Sequence, residues 1–123
     1  MQISQNTKNW IGKMYEGVDK ADEHAFGAEL SDKCVLKFGN QPAMEGKNTI
    51  VEGIGAFFAS FKALSHNFTH MWEVGNEIIL DSDVTYTRHD DKKVTVPAVT
   101  IIKQNDYKAE EMRIYVDLTP LYA

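Results

Sequence analysis

The apolar residues of this chain change their period once, near residue 65, and that change constrains the fold more than any motif. Before it they recur at helical spacing. Trp10, Ile11, Met14, Tyr15 and Val18 form one stripe, and Ile50, Val51, Ile54, Phe57, Phe58, Phe61 and Leu64 form a broader one. From His66 onward the alternation is two, over the runs 66–74, 77–88, 94–103 and 108–117. The connections between these runs are short and polar: Gly75-Asn76, then residues 89–92, then residues 104–107. Such a series is an antiparallel meander of hairpins. Helices first and strands afterwards imply an α+β domain, with helices packed on one face of a curved sheet.

The boundaries follow from local chemistry. Asn6 or Thr7 is placed to cap the first helix, and Asp22 to cap a short second one carrying Phe26 and Leu30 on one side. Residues 33–38 form a short strand, GNQPAMEG a loop, and Asn48 caps the third helix. Pro97 cannot donate to a ladder, so it marks an edge or a bulge in its strand.

Composition narrows the function classes. With 123 residues and 43% hydrophobic content, the chain is one domain, 1–123, able to hold a core and still line a pocket. Its net charge of −5 argues against a nucleic-acid partner, which demands a basic surface. Cys34 is the single cysteine, in an apolar run, and reads as an inert buried thiol rather than a nucleophile. The N-terminal MQISQNTKNW has no apolar signal region and no stretch is long enough to span a membrane, so a soluble cytoplasmic protein without a membrane partner is expected.

Two longer pieces carry a family resemblance: FGNQPAMEGKNTIVEGIGAFF, and VTYTRHDDKKVTVPAV running through to EMRIYVDLTPL. With the order αα–β–α–ββββ, they resemble the fold shared by nuclear transport factor 2, ketosteroid isomerase, limonene epoxide hydrolase and the SnoaL-like polyketide cyclases. The match to SnoaL-like proteins is the best, over nearly the whole chain. The resemblance implies a cone, with three helices on a strongly curved, mainly antiparallel sheet around an apolar cavity, usually in a homodimer. It does not imply a reaction, because this fold hosts isomerases, cyclases, hydrolases, dehydratases and binding modules. The epoxide-hydrolase apparatus is absent: Ile114 stands where that family keeps an Asp, and Leu36 and Phe38 where it keeps a Tyr and an Asn. The isomerase pattern needs a Tyr and two inward carboxylates; Tyr15 and Asp83 are available and no second carboxylate is evident.

The stretch SHNFTHMWEVGNE holds two histidines four residues apart, on one face whether the backbone is helix or strand. With Gly75-Asn76 as a two-residue turn, Trp72 faces Ile79, His70 faces Asp81, Phe68 faces Asp83 and His66 faces Thr85. The resemblance points Asp83 and Thr85 into the cavity, bringing His70 and Trp72 with them. The opposite side would carry Ile78, Leu80, Val84 and Tyr86. A bulge would reverse half of this assignment. His70 with Asp83 or Asp81 is then the catalytic pair for general acid–base chemistry, and a plain cross-strand His70–Asp81 contact is the alternative. His66 reads as a capping or structural residue. No metal site is expected, since His-x-x-x-His lacks a third ligand fixed by spacing and HExxH is missing.

The expected ligand contacts are Tyr15, Asn40, Phe57, Phe58, Phe61, Phe68, Trp72, Val96, Ala98, Ile114 and Val116. Met112, Ile114 and Val116 should line the cavity, while Arg113, Tyr115 and Asp117 face outward toward a dimer partner. Two functions stay open: cofactor-free proton transfer on a small, largely apolar molecule, or non-catalytic binding or assembly.

Overall fold

A computed structural model describes residues 2–123. The elements are α1 (Gln5–Asp19), α2 (Glu23–Gly27), β1 (Leu30–Phe38), β2 (Met44–Glu45), α3 (Lys47–Ala59), β3 (Ala63–Val74), β4 (Glu77–Thr87), β5 (Lys93–Asn105), β6 (Lys108–Val116) and α4 (Thr119–Tyr122). The strands form one six-stranded sheet in the order β2-β1-β6-β5-β4-β3. All neighbours are antiparallel except β1 and β6, which run parallel, with β2, α3 and β3 to β5 lying between them in the chain. Register shifts in β1, β3 and β6 bend the sheet, as bulges do. The helices occupy its concave side, over Ile11, Met14, Leu36, Ile50, Ile78, Leu80, Ile102 and Met112, which are almost fully buried.

Several boundaries differ from those read in the sequence. The cap of α1 is Ser4, whose hydroxyl accepts from the Thr7 N–H, rather than Asn6 or Thr7. Asp22 caps α2 as expected, but Leu30 opens β1 instead of extending the α2 stripe. The cap position of α3 is Gly46 at φ +92°, not Asn48. Phe61 and Leu64 continue its stripe beyond its end at Ala59, Phe61 from the turn and Leu64 from β3. The GNQPAMEG loop contains the two-residue strand β2. Pro97 sits on no bulge: β6 ends at Val116, opposite Ala98, so residues 93–97 of β5 have β4 as their only neighbour. That stretch is locally an edge, where a missing N–H is tolerated.

The two ends of α1 are fastened to β3. At its start Glu73 accepts from the Ser4 N–H and the Thr7 hydroxyl, each at 2.8 Å. At its end Asp19 accepts from the His66 N–H at 3.1 Å. The lengths agree: Ser4 to Asp19 rises about 22 Å along a helix, and His66 to Glu73 spans about 23 Å along a strand. No helix is long and apolar enough to cross a membrane among the described residues.

Candidate functional site

The Gly75-Asn76 turn is as expected: Val74 opposes Glu77, Trp72 opposes Ile79 and His70 opposes Asp81. The register then shifts between Phe68 and His70, so that Phe68 meets Ser82, Asn67 meets Asp83 and His66 meets Val84. One extra residue, Thr69, therefore separates the two histidines by face. His66 and Phe68 point inward; His70 and Trp72 point outward, stacked on one another with ring centroids 5.2 Å apart. The two imidazoles cannot share an ion or a substrate.

Asp83 and Thr85 also lie on the outer face, which corrects the inward placement that the resemblance favoured. The inner residues of β4 are Ile78, Leu80, Ser82, Val84 and Tyr86, all buried, while Asp83 is exposed. The reason is hydrophobic: the strand turns its more apolar set toward the core. His70 is 62% exposed, with Nδ1 3.6 Å from Asp81, and has no contact with Asp83. The His70–Asp83 acid–base pair does not exist in this structure.

Between the sheet and the helices is a cavity with about 50 Å³ of space for the centres of water-sized spheres. Of the expected contacts, Tyr15, Phe57, Phe58, Ala98, Ile114 and Val116 line it, as does Met112. Phe61 and Val96 are buried behind its wall, with Phe61 packed on Phe57 at 5.0 Å. Phe68 stands behind Tyr15, edge to face at 4.9 Å. Asn40 is exposed in the loop after β1, and Trp72 is on the other face of the sheet; neither reaches the cavity.

The wall also carries polar groups, of which the sequence reading assigned only Tyr15 to it. His66 lines the cavity with its side chain only 12% exposed, and its Nδ1 lies 2.6 Å from Asp19 Oδ1. A carboxylate at Nδ1 holds the proton there and leaves Nε2 as the free nitrogen. The ring is fixed on both sides, edge-on to Tyr15 at 4.8 Å and stacked on Phe68 at 5.8 Å. The Tyr15 hydroxyl is pushed up to about 12, chiefly by burial; its bond to Thr100 opposes the shift and the Asp19 charge adds to it. It therefore remains a proton donor at neutral pH. No Lys or Arg lines the cavity.

An imidazole oriented by a carboxylate, beside a buried phenol in an apolar enclosure, can take a proton from one atom of a ligand while donating a hydrogen bond to another. Asp19 was not visible as part of this group because it lies 47 residues before His66. In the sequence His66 stands at the entrance of its strand, on the face of His70 if the register is unbroken, and so reads as a capping or structural residue. One signal was present: the apolar alternation of Ile78, Leu80, Val84 and Tyr86 marks the core side of β4, and His66 belongs with that side once the strand is bulged.

The comparisons agree with this architecture. No curated protein sequence matches the chain. Among crystal structures, a candidate SnoaL-like polyketide cyclase from Jannaschia sp. CCS1 is similar over 99% of this chain and 94% of its own, with a TM-score of 0.83 at 16% identity. A protein with a ketosteroid isomerase-like fold from Catenulispora acidiphila, in complex with trimethylamine, gives 0.82 at 12% identity, over 89% of this chain and 86% of its own. TerC, co-crystallised with polyporic acid, gives 0.80 at 15% identity, over 94% of each. At such identities the likeness is one of fold. The model of the SnoaL-like domain matches residues 11–112, from the middle of α1 through most of β6, and the chain belongs to that family.

Proposed function

We propose that the cavity binds a small, largely apolar molecule bearing a carbonyl, and that His66, oriented by Asp19, moves a proton on the carbon beside it. Tyr15, buried beside it, donates to the carbonyl oxygen and stabilises the enolate that forms. The carrying observation is the 2.6 Å His66–Asp19 pair on the wall of an apolar cavity. Isomerisation, cyclisation and dehydration all begin with such a transfer, and none requires a cofactor for it. One structural neighbour is in complex with trimethylamine and another is co-crystallised with polyporic acid, which supports small-molecule binding here. We also propose a homodimer formed through the outer face of the sheet.

The alternative is binding without turnover, favoured by Ile114, an aliphatic residue lining the cavity where the hydrolases of this fold keep a catalytic Asp. Deuterium exchange separates the two. Cyclohexanone in D2O, followed by proton NMR, should lose its α-hydrogens faster with the protein than without it, and His66→Ala should abolish the difference. Binding without accelerated exchange would favour the non-catalytic reading.

A further inference from the structure

Tyr86 contributes a polar group to the cavity that the proton-transfer reading leaves unused. It is 3% exposed, on the inward face of β4, with its ring edge-on to Phe61 at 5.1 Å and Phe57 at 6.1 Å. Of the other polar members of the wall, His66 has Asp19 as its partner. Among the described residues no group hydrogen-bonds the Tyr86 hydroxyl; its surroundings act through burial and the neighbouring tyrosines alone. Nor is the hydroxyl sealed in protein, since the one fully enclosed side-chain polar atom without a partner is Arg113 Nε. A buried phenol normally finds a hydrogen-bond partner. Tyr86 is among the residues that line the cavity.

We propose that Tyr86 is a second polar anchor, and that the ligand is a neutral, ring-sized molecule with two acceptor oxygens, one for Tyr15 beside His66 and one for Tyr86. The first contact rests on the function proposed above; the second does not. Burial raises the pKa of the Tyr86 hydroxyl, so it donates, and the ligand must accept. An anionic acceptor is disfavoured, because a carboxylate would shed water into a cavity with no cation on its wall. Size sets the rest: the space of about 50 Å³ is smaller than the apolar enclosure of about 150 Å³ that accepts benzene, so a single ring is the upper limit and enters only as the wall side chains move apart.

The test compares cyclohexanone with cyclohexane-1,4-dione, two rings of equal size with one and two carbonyls. Amide chemical-shift titration gives the affinity of each for the native protein and for Tyr86→Phe. The native protein should prefer the dione by about five- to tenfold, the worth of one added hydrogen bond. In Tyr86→Phe the ratio should fall to about one. A ratio near one in the native protein, or one unchanged in the variant, overturns the second anchor while leaving the cavity as a ketone site. If neither ring binds the native protein at millimolar concentration, both readings fall.

Discussion

Asp19 ends α1, a position where helices favour cations, because the free carbonyls there carry partial negative charge. No basic residue occupies the last turn to offset it. What compensates is external: the carboxylate receives both the backbone N–H and the ring nitrogen of His66. Asp19 is thus held by the strand it serves, and its charge is directed at one imidazole. If His66 is the base, His66→Ala should lower the exchange of a bound ketone by about 100-fold or more, the scale of general acid–base catalysis. Asp19→Asn keeps an acceptor of the same shape but removes the charge that stabilises the protonated ring. It should lower the rate by a smaller factor with little change in ketone affinity, which rate measurements at varied ketone concentration would read. Equal loss of binding in both variants would point to a structural role.

At the scale of elements, α1 is fastened to β3 through Glu73 at its start and packed against α2 through Gly17 near its end, and each contact can be tested. Glu73 has its carboxyl pKa lowered below the ordinary 4.5, first by the Ser4 backbone N–H and then by the Thr7 hydroxyl. A depressed folded value gives stability that is present above 4.5 and lost as pH falls through the folded value. Glu73→Gln should therefore be less stable than the native protein at neutral pH, and the gap in thermal midpoint should close on acidification below 4.5. At the other end, Gly17 lets α2 approach: an added Cβ would lie 2.9 Å from Ala25 Cβ and 3.2 Å from the Phe26 backbone nitrogen. Gly17→Ala should cost about 1–3 kcal/mol as overpacking, measured by denaturant unfolding. The helices, the meander and the Gly75-Asn76 turn are legible in the sequence because each rests on local periodicity and turn chemistry. The bulge at Thr69 is not, since no glycine or proline marks it and its cause is tertiary. The His66–Asp19 pair is hidden for the same reason, joining residues that only the packed α1 brings together.

For the whole molecule, the convex face of the sheet stands without a covering layer. Trp72, Ile79, Val99 and Ile101 lie half-buried across β3, β4 and β5, beside exposed Pro97 and Tyr115, the latter 54% exposed. This face also carries Asp81, Asp83 and Arg113, so its apolar residues are set among both signs of charge. Apolar side chains grouped on an uncovered face are what the proposed homodimer would use. A second copy related by a two-fold axis would cover it, sheet against sheet, and leave each cavity open to its own ligand. Sedimentation at micromolar concentration should report about twice the chain mass of 13.9 kDa. Tyr115→Lys together with Ile101→Lys should return the monomer with its cavity intact. A native monomer that keeps its stability on dilution would exclude the dimer.

Thr69 reverses the parity of β3. Upstream of it the even-numbered positions answer to the cavity; downstream they answer to whatever meets the convex face. A strand with no such inversion must keep both surfaces in step along its whole length. Here the two halves form separate reading frames, with the inward positions even over 63–68 and odd over 70–74. An insertion or deletion of one residue on either side would exchange the two audiences of that half, whereas a change of two would leave them as they are.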